Sequence, residues 1–158
     1  MAKAVNSQIG QIHKEIAEMF GEVPTWVGEL PDSVLPGFWS TLKGFQLGES
    51  SIPNKYKELI GLAVAGATRC KYCTLFHTEA ARLNGATDEE IAEASAMGAF
   101  TMMASTFVNA QQVDYDTFRD ELLRSIDYIK AQQNQRRGPP QDVGKVGVNT
   151  LNRPSVPH

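Results

Sequence analysis

"ELIGLAVAGATRCKYCTLFHTEAARLNGA", residues Glu58 to Ala86, decides how this chain is read. It opens on a lone carboxylate and runs on almost wholly apolar to the small residues "AGAT". Cys70, Cys73 and His77 follow at i, i+3 and i+7, which sets them on one face of a helix. Asn84-Gly85 then reads as a helix stop. The stretch is therefore predicted to be two consecutive helices. The first is buried, because it is apolar almost all round after Glu58. The second starts near Cys70, with both thiols in its first turn.

The flanking sequence extends the same pattern. Ile9, Ile12, Ile16 and Phe20 form a helical stripe that Gly21 ends. "ELPDSVLPGF" is turn-rich, and Phe38, Trp39, Leu42 and Phe45 suggest a short helix stopped at Gly48. Beyond Gly85, "TDEEIAEASAMGAFTMMASTFVNA" has Thr87 or Asp88 as N-cap and acids in its first turn. Tyr115, Phe118, Leu122, Ile126 and Ile129 make one more stripe. No alternating stretch is long enough for a sheet, so the predicted fold class is all-α. Three segments are expected: N-terminal helices over 1–50, a core over 51–130, and a polar, Gly- and Pro-rich tail over 131–158 that is flexible or lies on a neighbouring subunit.

The totals exclude several classes of function. The 158 residues suit one domain, and 42% apolar content suffices for a core. A net charge of −3 with no basic segment before the far C-terminus argues against a nucleic-acid partner. No unbroken apolar run of membrane-spanning length and no signal peptide are seen, so no membrane partner and a cytoplasmic location are expected. In that compartment thiols are kept reduced, and a permanent structural disulfide is not expected.

Chemistry gathers around the cysteines. Free backbone N–H groups and the positive dipole end at a helix start favour a thiolate, and Arg69 and Lys71 add positive charge. His77, one turn beyond Cys73, can exchange a proton with it. Glu58 can reach the Cys–His face if the two helices pack as a hairpin, completing a nucleophile–base–orienter set. The blander readings are two small core cysteines, a satisfied histidine and a solvated glutamate; Tyr72 packs or caps. Zinc would need a fourth ligand or water beside Cys70, Cys73 and His77, while His13 and His158 lie at the chain ends, so no metal is expected.

The pattern Glu-x11-Cys-x2-Cys-x3-His, met by Glu58, Cys70, Cys73 and His77 and followed by "LNGATDEEI", resembles the carboxymuconolactone decarboxylase superfamily in its AhpD-like alkylhydroperoxidase branch. The resemblance covers about Lys55 to Ala110. It implies an AhpD-like helical fold with the CxxC at the start of a central helix. It implies a homo-oligomer, a trimer or hexamer, and thiol-dependent reduction of hydroperoxides with no cofactor. Carried over by position, Cys73 is the peroxidatic thiol and Cys70 the resolving one. Glu58 and His77 are the proton relay, and an external dithiol, protein or small molecule, is the reductant. One position departs: where AhpD proteins carry a second histidine inside the CxxC, this chain has Tyr72, a poor base at neutral pH that can still serve as an auxiliary by donating a hydrogen bond. The alternatives are a disulfide oxidoreductase that never meets peroxide, a decarboxylase-like protein, and an oligomeric binding module with an incidental thiol pair.

Overall fold

The structure, a computed structural model, describes residues 2–137. Among them are seven α-helices, one π-helical turn and no strand. The chain divides into two compact units, the first Met1–Phe107, the second beginning at Val108.

The stripe of α1 (Ala2–Phe20) folds as its spacing predicts: Ile9, Ile12 and Ile16 are buried. They pack with Val27 of the short α2 (Thr25–Gly28) and with Leu35 and Trp39 of α3 (Leu35–Thr41). Gly21, at φ +85°, supplies the left-handed residue that closes α1. Glu15 fixes the α1–α3 approach, accepting from Trp39 Nε1 at 2.9 Å and from Lys43 Nζ at 2.6 Å. The Lys43 ammonium, then the Trp39 N–H, hold the Glu15 carboxyl down at about 2.

α3 runs into a π turn, Leu42–Gln46. A wider turn breaks the 3.6-residue register, and Phe45, expected on the apolar stripe, is 64% exposed. Lys57 Nζ of α4 (Asn54–Ala67) donates to the carbonyls of Phe45 and Gly48 and to Asn54 Oδ1, tying the end of the π turn to the start of α4.

α4 and α5 (Lys71–Leu83) form the hairpin that the sequence suggests. α4 buries one face, Glu58, Leu62 and Ala65, and α5 buries Ala81. It is not buried all round, however: Ile60 and Val64 stand more than half exposed. The turn between the helices has its own logic. Arg69 N donates to Gly66 O at 3.1 Å and Cys70 N to Ala65 O at 3.0 Å, the paired bonds of a Schellman closure. Its left-handed residue is Arg69 at φ +58°, a conformation usually left to glycine. α5 ends on the same motif with Gly85 at φ +81° in that role.

α6 (Asp88–Ala110) begins at a capping box. Thr87 Oγ1 accepts from Glu90 N at 3.2 Å, while Glu90 Oε2 accepts from Thr87 N at 2.9 Å. Lys55 bonds Glu90 at 2.7 Å, joining the N-termini of α4 and α6; it and the Thr87 N–H hold the Glu90 carboxyl below its usual range. A Cβ at Gly98 would meet Ala63 O at 2.8 Å, so α6 crosses α4 with main chain against main chain. Apart from that crossing α6 is largely open, with Met97, Phe100, Met103 and Phe107 all exposed. It is the one helix among the described residues long and apolar enough to cross a membrane, by length and composition. Interspersed Gly, Ser and Thr hid that property from a search for an unbroken apolar run.

In the second unit, Asp114 Oδ1 accepts from Thr117 N at 2.9 Å and caps α7 (Tyr115–Arg137). The helix continues to Arg137, past Lys130 where the tail was expected to begin. Residues 138–158 of that expected tail, His158 included, lie outside the described residues.

Candidate active site

Cys70 is held through its N–H, its carbonyl and its sulfur at once. Its N–H closes α4, its carbonyl accepts from Thr74 N at 2.9 Å, and its sulfur accepts from Cys73 N at 3.2 Å. It is the N-cap of α5, with an extended backbone at φ −86° and ψ 95°. A thiolate there meets the unpaired N–H groups of the first helical turn, which stabilise negative charge. Cys73 lies inside that turn and is exposed, whereas Cys70 is half-buried. The two sulfurs are bonded as a disulfide, with Cα atoms 5.3 Å apart. The pair therefore needs no large backbone movement to open and close.

His77 projects from the next turn of α5 and meets α4. Its Nδ1 lies 2.7 Å from Glu58 Oε2 across the hairpin. Glu58 is only 1% exposed, the one charged residue in the core of the described chain. Facing an ionised carboxylate, which only accepts, Nδ1 would donate, the tautomer that leaves Nε2 without a proton. The Phe76 ring stands edge-on to the imidazole, centroids 5.2 Å apart at 81°. On α4, Gly61 lies three residues beyond Glu58, and the space a side chain would fill there holds the imidazole ring.

The sequence-derived set thus divides. Glu58 and His77 are in direct contact, Cys70 and Cys73 are bonded to each other, and helix geometry puts Cys73 one turn before His77. Tyr72 stands apart from them. It is 77% exposed, with Lys71 Nζ 5.0 Å from its ring centroid. Among the described residues no group of three or more His, Cys, Asp and Glu side chains is arranged to hold a metal ion. His13 sits half-buried on α1. Sequence reading passed over Gly61. Its signal was there, a glycine inside a helix one turn after the key carboxylate.

The comparisons with known proteins bear on this geometry. The model of the carboxymuconolactone decarboxylase family matches residues 34–112, half of the chain. The chain belongs to this family. The match begins earlier than the resemblance read from the motif and takes in α3, the π turn and the α4–α5 hairpin. Over 64 residues the chain is 33% identical to uncharacterised protein 4 in the cox locus of Paracoccus denitrificans, covering 40% of this chain and 58% of that one. Over 83 residues it is 34% identical to an uncharacterised protein of Cupriavidus necator, covering 52% and 69%. The chain thus spans little more than half of the first of these relatives. Among solved structures it is similar to the alkylhydroperoxidase AhpD core of Rhodospirillum rubrum. That match has a TM-score of 0.63 and 27% identity over 73% of this chain and 88% of that one. It is also similar to a protein from Methanobacterium thermoautotrophicum, with a TM-score of 0.50 and 32% identity over 56% and 97%. The fold is the all-α AhpD-like fold, with the CxxC at the start of α5.

Glu58 in the core depends on His77. Replacing His77 with Ala leaves a buried carboxylate without its donor, and the predicted loss of stability is about 3 kcal/mol. Glu58→Gln keeps an acceptor oxygen for Nδ1 and is predicted to lose less than half of that. Urea unfolding of the reduced variants checks the order; equal losses would contradict it.

Proposed function

We propose that this protein is a cytoplasmic thiol peroxidase that reduces organic hydroperoxides through the Cys70–Cys73 pair. What carries the reading is the combination of an exposed cysteine and an imidazole on one helix, with the imidazole held by a carboxylate of the other. Cys73 can bond to Cys70 behind it, and one turn ahead lies an imidazole whose other nitrogen is fixed by a buried carboxylate. The fold likeness to an alkylhydroperoxidase core supports the same reading.

In the proposed cycle, the Cys73 thiolate attacks the distal oxygen of ROOH. An S–O bond forms as the O–O bond breaks, Cys73 is oxidised to the sulfenic acid, and the leaving alkoxide takes a proton to become ROH. That proton is the one the Cys73 thiol gave to His77 Nε2 on becoming the thiolate; Nε2 hands it to the alkoxide, and Glu58 stabilises the imidazolium in between. Cys70 then gives its thiol proton to His77 Nε2 and attacks the Cys73 sulfur; the S–S bond forms as the S–O bond breaks, and the departing hydroxide takes that proton from Nε2 to leave as water. An external dithiol supplies two electrons by exchange and becomes a disulfide itself. No metal or organic cofactor enters the cycle. Tyr72, open to solvent, is kept as an auxiliary hydrogen-bond donor and not as a base of the relay.

One observation favours a second reading. The Cys70 sulfur accepts the Cys73 N–H at the helix start, where a thiolate is best stabilised. A disulfide oxidoreductase that never meets peroxide would use Cys70 as nucleophile. The two readings part on single variants. The peroxidase reading predicts that Cys73→Ser abolishes peroxide consumption, while Cys70→Ser permits one turnover and leaves Cys73 as a dimedone-reactive sulfenic acid. If Cys70→Ser is instead the variant that no longer reacts with peroxide, the roles of the two thiols are reversed; a parent protein that consumes no peroxide but exchanges with a small disulfide is the outcome the oxidoreductase reading predicts.

The proposal includes a homo-oligomer, a trimer or hexamer. Met97, Phe100, Met103 and Phe107 on α6 and Ile60 and Val64 on α4 are more apolar surface than a monomer of this size ordinarily leaves in water. Light scattering is predicted to give a multiple of the 17.3 kDa chain mass. A particle of one chain mass would overturn it.

A further inference from the structure

Gly61 sits in the middle of α4, where a glycine costs roughly 1 kcal/mol relative to alanine. Its backbone does not need the residue: among the described residues the positive-φ glycines are Gly21 and Gly85. What glycine supplies here is the absence of a side chain. A Cβ at Gly61 would lie 2.5 Å from His77 Nδ1 and 2.7 Å from Nε2, and closer still to Cε1. All three nearest atoms belong to the one imidazole. At Gly48 and Gly98, by contrast, a Cβ would meet main-chain atoms, and at the other described glycines it would meet nothing. The His77 ring therefore lies flush on the α4 main chain. Glu58, one turn earlier on the same helix, holds its Nδ1, and Phe76 stands edge-on to it.

We propose that Gly61 is a positioning residue for His77: its missing side chain is the seat that keeps Nδ1 on Glu58 and leaves Nε2 for the thiols. The effect on rate rests on the peroxidase reading above; the seat itself does not. An alternative, that Gly61 merely lets two helices pack, would put main-chain or core atoms nearest the Cβ position, as at Gly98, whereas the three nearest atoms here are all of the imidazole.

The test is Gly61→Ala in the reduced protein, alone and combined with His77→Ala. The clashing atoms are the far end of a side chain, so the substitution is expected to move the imidazole and leave the chain folded. Nitrogen-15 NMR of the histidines is expected to show a protonated, hydrogen-bonded Nδ1 at His77 in the parent and its loss in Gly61→Ala. Peroxide-driven thiol loss is expected to slow by about tenfold or more, as misplacement of a proton-transfer group by about an ångström does. In the His77→Ala background, adding Gly61→Ala is expected to change that rate by less than about twofold, because the residue acts only through the ring. An unchanged Nδ1 signal in Gly61→Ala, or an equal slowing in both backgrounds, would overturn the proposal. Should Gly61→Ala alone fail to fold, recovery of folding in the double variant would support the seat, and failure of both would overturn it. If the parent protein consumes no peroxide, the peroxidase reading falls, and the NMR comparison still decides the role of Gly61.

Discussion

The bond between Glu58 and His77 is the constraint around which the rest of the hairpin is arranged. A carboxylate 1% exposed inside a small helical unit is costly unless it is paired. Its partner arrives from the next helix, at 2.7 Å. That single contact requires α4 and α5 to lie close and antiparallel, and it requires a sharp turn between them. The Schellman closure at Arg69 makes the turn, and the same closure delivers Cys70 to the N-cap of α5. The thiol pair and the Glu58–His77 pair are therefore placed by one turn. The backbone bonds that finish α4 also set the first thiol, and the helix that begins there carries the second thiol and the imidazole in successive turns.

Support for the hairpin comes from outside it. Lys57 holds the carbonyls at the end of the π turn, Lys55 ties α4 to the start of α6 through Glu90, and Gly98 lets α6 approach α4 at Ala63. α4 is thus held along its length. A buried acid that must present one oxygen to one nitrogen gains from such rigidity, because the donor–acceptor geometry tolerates little drift.

Much of this was legible in the residues. The i, i+3, i+7 spacing put the two cysteines and His77 on one face, and Glu58 stood out as the carboxylate where an apolar run begins. Those four residues stand where a hairpin reading places them. The stops were less legible. Gly21 and Gly85 announce their left-handed turns, whereas Arg69 adopts the same conformation without a glycine to mark it. Phe45 left its stripe because the π turn changes the period, which no fixed 3.6-residue pattern anticipates. Burial was overestimated for α4, since apolar residues around a helix say that its faces want cover without saying what covers them. Gly61 was missed for the opposite reason: an absent side chain has meaning only once its neighbour across the hairpin is known.

The family to which this chain belongs is named for a decarboxylase, yet the features built most firmly here are a bonded thiol pair and an imidazole with one nitrogen fixed. These are the parts of redox and proton-transfer chemistry. The most direct test is stoichiometric. The protein is fully reduced, freed of reductant and given one equivalent of an alkyl hydroperoxide, while free thiols and intact mass are followed. The account predicts loss of both thiols within seconds and a mass lower by about two hydrogens, the Cys70–Cys73 disulfide. Thiols that survive the peroxide while still exchanging with a small disulfide would contradict it and leave a disulfide oxidoreductase in its place.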